Sequence, residues 1–401
     1  MTQIAEQIST RRETDARIIG LVSAAHFISH YYILLLPPLF AFVRADYGVS
    51  YTEIGFALAA FNIVSAAFQT PAGFLVDRLG ARGLLIAGLA LGAAATATAA
   101  LIDSFWVFVV MFGFIGLANT VYHPADYAIL SHRISSERMS RAFSIHTFCG
   151  QLGSAAAPAS LLLMQTMWGW RGAYLGAALI GAVVAVTLLL LPDDHGRRAA
   201  KPQATGDTRP VGWKLLLSTP ILLNLAFFTF MSVLNGGLAN YSVVALGALY
   251  ATPASLANTA LTAYLLVSAF GVLAGGAVSA WTSRHGTIAA LGLLTMVVMV
   301  LPFALFDLGN ILTVAALAIA GFSYGIIMPA RDMIVRDATP PGSFGKVFGF
   351  VTTGFNIGGI ASPFIFGAMM DYGAPSLVFV TVAGLCVLAV LTVISVPKRA
   401  H

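Results

Sequence analysis

The sequence predicts an all-α membrane protein, with twelve transmembrane helices arranged as two pseudo-symmetric six-helix bundles. Three observations lead there. The first is composition: 58% of the 401 residues are apolar and 9% charged, with a mean hydropathy of +0.87, whereas a soluble domain carries about 25% charged residues. The second is length: the apolar stretches run continuously for about 20 residues, enough to cross a bilayer as a helix, while barrel strands are shorter and alternate. The third is repetition at an offset of 205 residues. Gly116 meets Gly321, Pro124 meets Pro329, Ala125 meets Ala330 and Ile129 meets Ile334. Without a gap, Arg141 then meets Lys346, Phe143 meets Phe348, Thr147 meets Thr352, Gly153 meets Gly358 and Pro158 meets Pro363.

Taken in order, Met1–Ala16 reads as a polar arm with no cleavable leader, because the first apolar run continues as a full span. The expected spans of the first half cover about 18–40, 51–75, 83–102, 105–130, 142–165 and 172–191. Pro37-Pro38 ends the first, Gly80 turns the chain between the second and third, and Trp168-Gly-Trp-Arg171-Gly turns it between the fifth and sixth. Residues 192–213 are polar, charged and too short to fold alone, so they read as a flexible linker. The second half is expected to span the membrane at about 214–245, 253–280, 287–306, 310–336, 346–370 and 375–396. The domains are therefore 1–191, a linker 192–213, and 214–401.

The basic balance (+5, with 21 Lys and Arg) does not indicate nucleic acid, because the cations concentrate in alternate short loops. With the N-terminus in the cytoplasm, the inside segments hold Arg11, Arg12, Arg17, Arg78, Arg82, the 131–141 cluster, the linker, Lys214, Arg284, Arg336, Lys346, Lys398 and Arg399; the outside keeps Arg44 and Arg171. This positive-inside bias places both termini in the cytoplasm of a bacterial-type inner membrane. Cys149 and Cys386 lie in separate apolar runs without metal or redox spacing and read as small hydrophobes.

Twelve spans in two halves around a charged linker resemble the major facilitator superfamily. The sharpest match is Gly73-Phe-Leu-Val-Asp77-Arg78-Leu-Gly80-Ala-Arg82, similar to that family's Gly-x-x-x-Asp-Arg-x-Gly-x-Arg signature between spans 2 and 3. The resemblance implies the major facilitator fold, a cytoplasmic position for this loop, and a conformational latch built from Gly73, Asp77, Arg78, Gly80 and Arg82. The plainer reading of the same cations is topology marking. The second half keeps only Ser283-Arg284-His285-Gly286 there. Ser29-His30 with Leu35-Leu36-Pro37, and His123-Pro124 in span 4, resemble the fosmidomycin-resistance-type efflux branch, although Ala125-Asp126 stand where that branch carries a glutamate. The arginine usual in the family's span 4 is absent from Trp106–Leu117.

Polar side chains inside apolar helices are costly and face a bundle interior or a wet cavity. Asn119, His123 and Asp126 share one helix face, as do Tyr324, Met328 and Arg331 at the matched place. Arg331 can attract an anionic group, while Asp126 or His123 exchanges a proton. The competing reading is a gate of ion pairs, Asp126 with Arg331 or Asp332 with Arg336. His26 and His30 lie one turn apart in span 1, and His30 maps onto Asn235 in span 7. The resemblance implies that spans 1, 4, 7 and 10 line the cavity, and histidine can exchange protons near neutral pH. Gln151 and Asn356 match across the repeat. Asn62, Gln69, His146, Asn224, Asn240 and Tyr264 read first as interhelical hydrogen bonds, and Phe227, Phe228 and Met231 as packing. His26, His30, His123 and Asp126 are also metal-ligand types, though from separate spans without a local motif.

No nucleotide-binding loop and no hydrolase constellation at fixed spacing is present in the sequence, so the expectation is a transporter and not an enzyme, with no cofactor. Expected partners are a small-molecule substrate, protons and the lipid bilayer, with the chain a monomer. The expected activity is secondary transport by alternating access, as proton-coupled export (antiport) of an amphipathic or anionic compound. Proton-coupled uptake of a small organic acid or nutrient is the alternative. Divalent-metal transport and a non-transporting sensor stay open behind it.

Overall fold

The computed structural model describes residues 2–134, 136–190, 215–339 and 344–395; the expected linker lies outside them. Among the described residues every regular element is a helix. The first half comprises α1 (Thr2–Ile33), α2 (Phe40–Tyr47), α3 (Tyr51–Leu79), α4 (Ala81–Leu101), α5 (Phe105–Arg133) and α6 (Ser136–Thr187). The second comprises α7 (Thr219–Gly236), α8 (Ser242–Tyr250), α9 (Ala254–Trp281), α10 (His285–Val300), α11 (Gly309–Ala338), α12 (Phe344–Asp371) and α13 (Ser376–Ser395).

Among the described residues, eleven stretches are long and apolar enough to cross a membrane. One of them lies within α6, whose 52 residues would reach roughly 78 Å at 1.5 Å per residue, far beyond a hydrocarbon core of about 30 Å. Gly169 breaks this helix with φ 71° and ψ 173°, at the Trp-Gly-Trp-Arg turn, so α6 holds the fifth and sixth spans and the total is twelve. Glycine is needed here because a side chain disfavours positive φ. Gly80, at φ 95°, makes the equivalent one-residue turn between α3 and α4.

Two features add to what the sequence predicts. The N-terminal arm is helical, since α1 begins at Thr2 and runs unbroken into the first span; its Glu, Gln, Arg and Ala residues are good helix formers. The seventh span is not one regular helix: a π-helical turn, Gly237–Tyr241, separates α7 from α8. Gly236 and Gly237 seat that turn against Ser362 and Phe366, where a Cβ would collide.

The chain forms two compact units, one of Met1–Leu35 with Ala60–Gln203 and the other of Leu36–Ala59 with Ala204–His401. Residues 36–59, which the sequence counts with the first half, thus pack in the second unit. Within the first unit α1 lies along α6, and α4 along α5 and α6. Within the second, α9 lies along α11 and α7 along α12, with α10 and α13 beside them. Fully buried Tyr32, Phe108, Phe112, Tyr122 and Tyr174 fill the first core, and Phe227, Phe228, Tyr241, Tyr264 and Phe366 the second. Leu163, Leu179, Val186, Leu291 and Ile311 point outward, as lipid-facing side chains do.

The start of α3 is unusually well capped. Ser50 and Glu53 form a reciprocal box, Ser50 N donating to Glu53 Oε2 (2.7 Å) and Glu53 N to Ser50 Oγ (3.1 Å). Asp371, the last residue of α12, accepts from Tyr51 N (2.6 Å) and Thr52 N (2.8 Å). Its carboxylate therefore serves two N–H groups that a helix leaves without partners.

Candidate functional site

In the first unit, three helices bring their titratable side chains to one point. His26 and His30 are one turn apart on α1, and His123 and Asp126 one turn apart on α5, so each pair shares a face. His146 on α6 completes the group. The His26 ring stacks on His146 with centroids 3.8 Å apart and lies 4.6 Å from His30 and 5.0 Å from His123. Asp126 Oδ2 is 3.4 Å from His26 Nδ1 and 3.7 Å from His146 Nε2. Asp126 and His146 are 0% exposed and His26 3%, whereas His30 and His123 are half-buried.

Neighbouring residues hold this arrangement in place. His30 Nδ1 is 3.2 Å from Ser154 Oγ. Gly150 leaves the space that the rings of His26 and His30 fill, since a Cβ there would come within 2.5 Å of His26 Cδ2. The exposed Tyr127 flanks the cluster, its ring 5.8 Å from His146 and 6.2 Å from His123. Among the described residues, neither carboxylate oxygen of Asp126, neither ring nitrogen of His146, nor His26 Nδ1 has a hydrogen-bond partner. A buried carboxylate in this state lacks the compensation that burial demands.

The second unit carries a different arrangement. Arg331 on α11 is 7% exposed, with its guanidinium carbon 4.5 Å from the Phe228 ring and 4.9 Å from the Phe355 ring. Arg331 Nε donates to Asp332 Oδ1 (2.9 Å), and the Nη2 atom lies 2.8 Å from the same oxygen. Nη1 is buried without a partner among the described residues. The flanking rings come from α7 and α12, and both lie close enough for cation–π attraction. In the same unit, Asn235 Oδ1 accepts from Tyr264 Oη (2.9 Å), and the Tyr264 ring lies 6.1 Å from Tyr324.

The residues expected from sequence therefore divide. His26, His30, His123 and Asp126 meet in the first unit. Asn235 and Tyr324 share Tyr264 as a neighbour in the second, and Arg331 pairs with Asp332. Asp332 engages Arg331, where one reading of the sequence paired it with Arg336, and Asp126 lies against His26 and His146 of its own unit. Asn119, Gln151 and Asn356 are half-buried, adjacent along their helices to His123, Gly150 and Phe355. In the expected latch, Arg82 donates to the Leu189 carbonyl at 2.8 Å, as Arg17 does to Leu190 at 3.0 Å, and Arg78 is exposed. The side chain of Asp77 lies outside the described residues. Sequence reasoning missed His146, Phe228, Phe355 and Tyr264 as members of these groups. His146 had a signal, since it was a charged-type residue inside an apolar run.

A helical chain that crosses the membrane twelve times, with titratable side chains buried inside one unit and a cationic one inside the other, is built as a transporter of small solutes. The family model of the Major Facilitator Superfamily matches residues 22–309 and 225–401, and the chain belongs to that family. It is 26% identical over 149 residues to the probable L-galactonate transporter of Escherichia coli (strain K12), a match covering 37% of this chain and only 33% of that one. It is 25% identical over 326 residues to the multidrug resistance protein MdtH of Aeromonas hydrophila, covering 80% of this chain and 79% of that one. The crystal structure of the nucleoside transporter NupG superposes with a TM-score of 0.73 at 15% identity, covering 96% of this chain and 98% of that one.

Proposed function

We propose that the protein is a proton-coupled exporter of a small organic compound that combines an anionic group with an apolar body, working by alternating access. The carrying observation is Asp126: a fully buried carboxylate walled by histidines, with no lysine or arginine among its ion partners in the described residues. A carboxylate and imidazoles so placed can take up and release a proton when the site opens to water. The Arg331 guanidinium between two phenyl rings suits the anionic end and the apolar body of a cargo. Asn235 and Tyr324, joined through Tyr264, supply hydrogen-bonding groups in the same unit, as does Asn356 next to Phe355, while Asn119 and Gln151 are the further polar groups of the histidine-bearing unit. The signature loop acts as the latch of one conformational state, in an inner-membrane monomer whose two termini are cytoplasmic.

Uptake of a small organic acid is the second reading, favoured by the L-galactonate named for one relative. Flux into proteoliposomes with an imposed pH gradient tests the proposal, and the direction of net movement in intact cells separates export from uptake. Asp126→Asn is expected to abolish gradient-driven accumulation while leaving substrate exchange across the membrane intact. Gradient-driven accumulation by this variant at the wild-type level would refute the proton site.

A further inference from the structure

We propose that His26, His123, His146 and Asp126 form a binding site for one divalent first-row transition-metal ion of the zinc class. Each of the three histidines offers a ligand atom, and these atoms all lie within 4.8 Å of one another. The carboxylate of Asp126 adds the fourth donor, at 3.4 Å from His26 Nδ1 and 3.7 Å from His146 Nε2. Those separations exceed the 2.7–3.2 Å of a good N–H···O hydrogen bond. They are close to the spacing of two donors on a shared ion: ligands at about 2.0–2.1 Å from a tetrahedral zinc sit roughly 3.3 Å apart. The wider separations among the four donors need side-chain rotations to close.

The lack of partners points the same way. Both oxygens of Asp126, both ring nitrogens of His146 and Nδ1 of His26 are buried without a hydrogen bond among the described residues. One ion with open coordination positions would engage a donor atom from each of these side chains. Imidazole with a single carboxylate suits zinc, cobalt, nickel or iron(II), whereas calcium and magnesium require mostly oxygen donors. His30 is set apart, because Ser154 occupies its Nδ1. The half-buried His123 gives the ion a way in, since the other three donors are closed off. The ion and the proton compete for the same atoms, so affinity falls as pH falls. This site stands on the geometry of the first unit alone and does not depend on the cargo or the direction of transport.

The test uses the full-length protein in detergent, titrated with cobalt chloride alone. Tetrahedral cobalt(II) gives visible ligand-field bands that report the donor set directly. One ion per chain is expected, with the band displaced by zinc chloride. His123→Gln and Asp126→Asn should each weaken binding by more than the ~10–100-fold that accompanies loss of a group behind the ligands. His30→Gln should fall within that smaller range, and His285→Gln, on α10 in the other unit, should bind as wild type. Zinc chloride should also raise the melting temperature of the wild-type protein and not of His123→Gln, which checks the site without relying on a variant's spectrum. Absence of a saturable one-to-one band in the wild type would overturn the proposal. So would a band that persists unchanged in the His26→Gln/His146→Gln double variant.

Discussion

Arg331 shows how a costly side chain is made tolerable inside a membrane protein. Its charge is met by Asp332 on one side and by the faces of Phe228 and Phe355 on others. Replacing it by glutamine removes the cation, and a hydrogen bond to a charged group contributes about 1.5–3 kcal/mol. Affinity for an anionic cargo is therefore expected to drop about 10–100-fold, measured by equilibrium binding in detergent. Arg331→Lys keeps the charge and loses the planar stacking, so it should lie between the two. Equal affinity in all three proteins would exclude Arg331 from the cargo site. In the sequence, Arg331 and Asp126 stood out because a charge in an apolar helix needs a reason. Phe228 did not, because an aromatic in a membrane helix is ordinary, and only the fold brings it over a guanidinium from a helix distant along the chain. His146 was missed for a related reason: its repeat partner is Val351, so the comparison of halves gave it no emphasis.

Among the helices, the glycines that match across the repeat explain how each unit packs. Gly153 on α6 lies against the backbone of Phe27 on α1. Gly358 on α12 lies against Ser232 and the Thr229 carbonyl on α7, and Ser232 is the repeat counterpart of Phe27. Gly116 on α5 and Gly321 on α11 press in the same way on the backbones of Phe61 and Tyr264. These crossings hold because no Cβ intervenes, which is how small residues bring membrane helices together. Gly153→Ala and Gly358→Ala should each cost roughly 1–3 kcal/mol through overpacking, read as a lower melting temperature in detergent. Gly73→Ala, where a Cβ meets nothing within 4 Å, should melt as wild type. Helix existence was legible from the length of the continuous apolar runs, and the repeat from its constant offset. The π-helical turn at 237–241 and the helical arm were not, since both depend on packing and local propensity that the apolar pattern does not report.

For the molecule as a whole, the expected boundary between halves and the observed division into units differ at residues 36–59. Sequence repetition records ancestry by duplication, whereas compactness records which surfaces are buried together, and the two need not coincide. The capping of α3 by Asp371 shows why this segment sits where it does: two backbone N–H groups of Tyr51 and Thr52 end on one carboxylate. Asp371→Ala should cost about 0.5–2 kcal/mol, the range for a lost helix cap. Amide hydrogen exchange at residues 51–54 should rise accordingly, with the rest of the second unit unchanged. Unaltered exchange at those amides would mean that water replaces the carboxylate at no loss.

The placement of residues 36–59 also bears on what happens if the polypeptide is severed. Expressed as separate pieces, 1–191 and 214–401 would not correspond to the bodies that bury apolar surface together. The first piece would carry a stretch with nothing to settle on, and the second would lack the segment that completes it. Produced jointly, the fragments should find each other and survive; produced singly, each should be cleared by proteases.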